Sequence, residues 1–159
     1  MSRNRRVLKI GLDYHGVINK NLSYFQRFCD ALIKRGHHIY ILTGGPKSTV
    51  EKDLEKAKIK YKALFTIFDF YQAKGLVSCQ GAGHFQIDEK LWNTAKADYC
   101  RSHNIDIQID DSLIYGKYFT TPYCLYTENN CLLLNHKEKI DLSVLTPEQA
   151  VIELETKLS

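Results

Sequence analysis

Several side chains in this sequence belong to chemistry rather than packing, and each of them follows an apolar run. Asp13 comes directly after Val7–Leu12 (VLKIGL) and leads into Tyr14, His15 and Gly16. Thr43, Gly44 and Gly45 follow His38–Leu42 (HIYIL), and Asp110-Asp111-Ser112 follows Ile105–Ile109 (IDIQI). Apolar or alternating runs bounded by turn residues read as strands. In an open α/β sheet ligands bind just beyond the carboxyl ends of the strands. If these strands are parallel, Asp13, Thr43, Asp110 and Asp111 converge on one edge. Clustered carboxylates repel one another and burial penalises their charge, so such a group implies a cation. An oxygen-only donor set suits Mg²⁺, which keeps several waters and one substrate phosphate oxygen. A hydroxyl and loop amides after the second strand suit the remaining phosphate oxygens. The chemistry pointed to is metal-assisted handling of a phosphate.

The elements between these strands have the periodicity needed to position them. Leu22, Phe25, Phe28/Cys29 and Leu32/Ile33 predict a helix over residues 21–35, capped by Asn19 or Asn21 and stopped by Gly36. Ser48-Thr49-Val50-Glu51 has capping-box form and predicts a second helix, with Val50, Leu54 and Ala57 on one face. Ala63–Phe68 reads as a third strand closing on Asp69, a residue expected to be structural although it lies on the active edge. Residues 70–90 hold Gly75, Gly81 and Gly83 without a clear period and read as a long loop, with a short helix near Gln72. Leu91–His103 returns to helical spacing. Phe119–Thr127 and Cys131–Leu134 read as a fifth strand and a short sixth. Thr146 as cap, Pro147 at the first position and Gln149 at the third open a last helix. This alternation predicts an α/β fold: a three-layer, Rossmann-like, mainly parallel sheet covered on both faces. The expectation is one domain over residues 1–159, with a core at about 7–134, a C-terminal helix at about 147–158 and a lid loop at 70–90.

With 44% hydrophobic and 25% charged residues in 159, the composition is that of an ordinary globular domain. Nothing approaches 18 consecutive apolar residues, which argues against a membrane span. The basic start, Met1 to Arg6, leads into no secretory h-region, so a cytoplasmic location is expected. Five cysteines at irregular spacing, with no C-x-x-C pair, argue against a disulfide framework or a zinc site and fit free thiols. The net charge of +4 is dispersed, with no basic run interleaved with aromatics, which suits an anionic substrate and argues against a nucleic-acid partner. The oligomeric state is left open. Plainer readings exist for each site residue. Asp13 and the Asp110-Asp111-Ser112 run could cap helices, Thr43 could serve a turn, and Lys96 has the ordinary reading of a solvated helix lysine. A response-regulator receiver is argued against, because its paired acids follow the first strand and here the pair follows a later one.

The run through Asp13-x-His15-Gly16-Val17-Ile18 resembles the first motif of the haloacid dehalogenase-like (HAD) phosphatase superfamily, usually Asp-x-Asp-Gly-Thr/Val. Ile41-Leu42-Thr43-Gly44 is similar to the second motif and Ile107–Ser112 to the acidic fourth. For the third motif's lysine Lys96 is the choice, with Lys90 or Lys74 as alternatives. The resemblance spans roughly residues 7–127. It implies a Mg²⁺-dependent phosphatase of the capless or minimally capped type, with Asp13 as nucleophile forming an aspartyl-phosphate. It further implies that the Asp13 carboxylate, the His15 main-chain carbonyl and Asp111 hold the metal, with Asp110 direct or through water. Thr43 and Gly44 would bind the phosphoryl group and Lys96 would offset its charge.

One position departs from the pattern. The family's second Asp, the acid and then base of the reaction, is His15 here. An imidazole can carry a proton near neutral pH, so catalysis by His15 is physically open. The alternatives are a catalytically weak module that binds a phosphorylated ligand or partner, and a different reaction such as dehalogenation. Only Gly16–Lys20 separates Asp13 from its helix, so by this resemblance the site should be open unless the 70–90 segment forms a lid. That fits a phosphorylated small molecule such as a nucleotide, a phosphorylated macromolecule, or a lid lent by a partner subunit.

Overall fold

The apolar run after the basic start becomes β1 (Lys9–Leu12), and the rest of the sheet is laid out from it. In this computed structural model, which describes residues 5–158, the sheet has the order β3-β2-β1-β6-β7-β8-β9. Its members are β2 (His38–Thr43), β3 (Ala63–Thr66), β6 (Ile107–Asp110), β7 (Tyr123–Tyr126), β8 (Cys131–Leu134) and β9 (Glu138–Asp141). The five strands from β3 to β7 are parallel, and β8 and β9 turn back antiparallel. β1 is therefore central, with β2 and β6 as its parallel neighbours. That is a mostly parallel, mixed, Rossmann-like α/β sheet flanked by helices.

Period-2 alternation sends successive residues of a strand to opposite faces. On one face Ile39 and Ile41 join Phe25, Phe28 and Leu32 of α1 (Leu22–Lys34), Leu54 of α2 (Lys47–Lys56) and Val151 and Leu154 of α6 (Pro147–Leu158). On the other face Tyr40 and Leu42 pack with Ile67 and Tyr71 of α3 (Ile67–Ala73) and Ala95 and Cys100 of α4 (Glu89–Ser102). Among the described residues no helix is long and apolar enough to cross a membrane. All five cysteines are free thiols, and four of them are buried.

Several local expectations change. The helix after β2 begins at Lys47 and not at a Ser48 box. Its first amide, Lys47 N, donates to Asp69 Oδ2 at 2.7 Å, so the cap comes from a remote carboxylate. Asp69 sits in the first turn of α3 and does not close a strand, because the chain leaves the sheet after Thr66. Residues 70–90 are not a bare loop. They complete α3, then form a two-stranded antiparallel hairpin, β4 (Ser78–Cys79) with β5 (Phe85–Gln86). The strand expected over Phe119–Thr127 shortens to β7, and the polar β9 (EKID) has no expected counterpart. The last helix matches in detail: Gln149 N donates to Thr146 Oγ1 at 3.2 Å while Thr146 N donates to Gln149 Oε1 at 2.8 Å, a reciprocal capping box.

Candidate active site

The carboxyl ends of β1, β2 and β6 bring their polar residues together. Asp13 stays in the ladder for one residue beyond β1, its amide donating to Ile109 O at 2.9 Å, so the carboxylate is fixed against β6. Asp13, Thr43 and Asp110 are buried, and Asp110 has no exposed surface at all. One carboxylate oxygen from each of Asp13, Asp110 and Asp111 lies within 4.8 Å of the others, and Asp111 is the exposed member.

Lys96 is no solvated helix lysine. Its residue is 1% exposed, buried like its neighbours Ala95 and Ala97 and like Cys100 one turn on. Its Nζ donates to Asp110 Oδ2 at 2.6 Å and lies 3.2 Å from Asp13 Oδ2. Lys74 and Lys90 are exposed; Lys74 caps the Phe70 ring at 4.3 Å, and the structure brings neither to the cluster. Burial works to strip the proton from Lys96, but Asp110 and Asp13 outweigh it and hold the ammonium charged. Burial likewise raises the Asp13 carboxyl above its ordinary range; Lys96 pulls it down and Asp110 pushes it up again. Asp111 is raised by burial and by Asp110.

Asp110 is the best satisfied of the three acids. Oδ2 accepts from Lys96 and from Gln108 Nε2 at 3.1 Å, and Oδ1 accepts from Ser112 N at 3.1 Å. Gln108 stands opposite Gly11 in the β1–β6 register, and a Cβ on Gly11 would lie 2.1 Å from Gln108 Oε1. Only a glycine at that point of β1 leaves room for the amide that orients Asp110. By contrast, buried Asp13 Oδ1 has no hydrogen-bond partner among the described residues. Leaving such an atom unsatisfied costs about 1–3 kcal/mol, more when it is charged.

The loop after β1 is shaped around Asp111. Gly16 has φ +87°, and a Cβ there would meet Asp111 Oδ2 at 2.1 Å. Asn19 Oδ1 accepts from Gly16 N at 2.7 Å and holds the turn. Gly16, Lys20, Asp111 and Leu113 border an open groove of about 740 Å³ that also reaches Thr127 and Glu128. His15 is exposed, with Nδ1 3.4 Å from Thr43 Oγ1. Gly44 follows Thr43 with no side chain of its own, and Trp92 closes against it. In this neighbourhood Asp69 is structural, as expected. It accepts from Thr66 Oγ1 and from Lys47 N, both at 2.7 Å, and fixes the Gly44–Pro46 loop.

Asp13, Thr43, Lys96, Asp110 and Asp111 therefore meet, with His15 and Gly44 at the rim. Gln108, Tyr115 and Trp92 were not expected there. Tyr115, on α5 (Leu113–Gly116), has its ring centroid 4.9 Å from Lys96 Nζ and accepts from Trp92 Nε1 at 2.7 Å. The one available signal was the pairing of a polar residue two positions before Asp110, which period 2 places on the same face.

The cluster has three acids against one buried lysine, a surplus of negative charge that repels a phosphate as it stands. An oxygen-only donor set, an orphaned buried carboxylate oxygen and a glycine cradle around an exposed acid together make a group that could hold a metal ion. No protein-family model matches this sequence, and no curated protein matches it either.

Proposed function

We propose that this chain is a Mg²⁺-dependent phosphohydrolase of the HAD-like type, cleaving phosphomonoesters through an aspartyl-phosphate on Asp13. The observation that carries the reading is Lys96, buried between Asp13 and Asp110 at the edge where Thr43 and Asp111 also meet. An ammonium in that position holds one Asp13 oxygen in place and leaves the other without a partner.

Asp13, Asp111 and the main-chain carbonyl of His15 would hold Mg²⁺, with Asp110 as a further ligand, direct or through water. The ion, when bound, neutralises charge on the phosphoryl oxygens and so permits a dianion beside three carboxylates. The chain's own residues supply the rest. The Asp13 carboxylate attacks phosphorus, the ester P–O bond breaks, and the leaving oxygen takes a proton at the mouth of the site. His15, exposed and with Nδ1 3.4 Å from Thr43 Oγ1, would deliver it. Water then attacks the phosphorus of the aspartyl-phosphate and gives its proton back to His15, releasing inorganic phosphate and restoring Asp13. The Thr43 hydroxyl and the Gly44 amide orient the phosphoryl oxygens, and Lys96 keeps Asp13 in register throughout. This is positioning plus electrostatics, as phosphoryl transfer requires.

Phosphate release from a panel of phosphomonoesters tests this directly. Turnover is expected to require Mg²⁺ and to fall at least about 10³-fold in Asp13→Asn. His15→Asp, run on the same panel, reads whether the imidazole helps or hinders. A folded protein that binds Mg²⁺ but turns over nothing between about pH 5 and 9 sinks the enzyme reading and leaves a module that binds phosphorylated ligands.

A further inference from the structure

We infer that this site reads a nucleobase, through a wall of aromatic rings that begins one residue beyond Thr43; the inference rests on the phosphohydrolase reading above. Trp92, the only tryptophan of the chain, stands at the start of α4 against the phosphate loop. A Cβ on Gly44 would lie 3.2 Å from its Cζ2, so the indole borders the loop that follows Thr43. Its Nε1 is committed to the Tyr115 hydroxyl at 2.7 Å, and the Tyr115 ring in turn lies 4.9 Å from Lys96 Nζ. Phe85, from the hairpin strand β5, has its centroid 5.6 Å from Trp92 and 4.9 Å from Phe68. Phe85 is 41% exposed, although it belongs to a two-stranded sheet apart from the main one.

Four rings from four elements thus form a chain of contacts, from Tyr115 beside the buried lysine through Trp92 to Phe85 and Phe68. Trp92 packs against the core on its side of the sheet, and Phe85 is the exposed ring of the four. Every base has a π-face, and stacking on such a platform is worth about 10- to 100-fold in affinity per base. Reach decides which flat ring fits. With its phosphoryl group between Asp13 and Thr43, an aryl ester keeps its ring beside His15 and Thr43. A nucleoside 5′-phosphate carries its base a ribose farther out, past Gly44 to Trp92 and Phe85. The class indicated is a nucleoside monophosphate, with the hairpin supplying part of the base site.

The test is titration of the full chain, with Mg²⁺ present, by calorimetry and by Trp92 fluorescence. The probes are inorganic phosphate and the non-cleavable phosphonate isosteres of adenosine 5′-monophosphate, ribose 5-phosphate and phenyl phosphate. The expected result is quenching of Trp92 by the nucleotide isostere, and binding at least about tenfold tighter than the ribose isostere. Phe85→Ala, on a hairpin outside the main sheet, should bring that ratio close to one, with inorganic phosphate as the control titrant. Equal affinity of the nucleotide and ribose isosteres without quenching overturns the inference while leaving the phosphohydrolase intact. Tightest binding of the phenyl isostere also overturns it and assigns the wall to an aryl ester. Failure of every probe, inorganic phosphate included, removes the underlying phosphate site itself.

Discussion

Two ionic clusters sit at opposite edges of the same sheet, and they are built to different specifications. At the amino edge, Glu155 of α6 accepts from Arg35 Nε and Nη2 at 2.6 Å each and from His37 Nε2 at 2.7 Å, with Arg5 3.8 Å away. The other ring nitrogen of His37 accepts from Leu8 N at 3.0 Å, so every polar atom of that ring is used. At the carboxyl edge one lysine serves two buried acids, and Asp13 Oδ1 and Gln108 Oε1 lack partners among the described residues. The two carboxyls respond in opposite senses. Hydrogen bonds from Arg35 hold Glu155 down at about 2, whereas burial raises Asp13. The amino-edge cluster is closed and staples α1, the start of β2 and α6. The carboxyl-edge cluster is left incomplete, and incompleteness at fixed geometry is what a binding site requires.

The strongest way to break the contrast is Lys96→Met. It strands two buried carboxylates, and uncompensated buried charge costs about 3–5 kcal/mol. Thermal denaturation at neutral pH should show a large loss, of which Asp13→Asn in the same chain recovers a part. At the amino edge Arg35→Met leaves Glu155 with Arg5 and His37 and a route to solvent, since the Arg35 side chain is 27% exposed. Its cost should stay near 1 kcal/mol. Equal losses at the two edges would mean that Lys96 is only another surface-linked ion pair.

Mg²⁺ sharpens the same contrast from the other side. A ligand that binds only the folded state adds about 2.7 kcal/mol at a hundred times its Kd. For a chain of this length that is a Tm rise of about 5–10 °C. Wild type should show it and Asp111→Asn should lose most of it. Glu155→Gln should keep the full rise from a lower baseline, because its cluster offers a cation nothing. A wild-type Tm that ignores millimolar Mg²⁺ would count against the carboxyl edge as a metal site.

The legibility of the two clusters in the sequence was as uneven as their design. Asp13, Thr43 and Asp110 could be placed because each ends an apolar run, and parallel strands carry their ends to one edge. Lys96 could be nominated but not distinguished from a solvated lysine. Its burial depends on which face of α4 meets the sheet, and the flanking Ala95 and Ala97, too small to hold that face away, were the only local hint. The Glu155–Arg35–His37 cluster was invisible, since Arg35 and His37 share the turn between α1 and β2 while Glu155 lies 118 positions beyond His37 on α6, with no shared motif. The hairpin over Ser78–Gln86 was hidden by its brevity: two residues per strand give no period to detect. The false start at Ser48 has a similar cause. A local capping box was present in the sequence, but Asp69, more than twenty positions away, reached the helix amide first.

The amino edge also answers to acid, and the sign follows from the direction of the shift. Glu155 takes up a proton near 4.5 when the chain is unfolded and at about 2 when it is folded. Between those values the unfolded chain binds more protons, so acid favours unfolding. The stability Glu155 provides is complete above its unfolded value and is lost as pH falls toward 2. With screening at a site whose side chain is 15% exposed, the contribution is about 1–2 kcal/mol. Wild type and Glu155→Gln should therefore differ in Tm by a few degrees at pH 7 and converge as pH approaches 2. Every other carboxylate titrates in both proteins, so the difference between the two curves isolates this one. Curves that stay parallel down to acid pH would mean that Arg35 and His37 hold Glu155 by packing rather than by charge, and the amino edge would then owe its closure to shape.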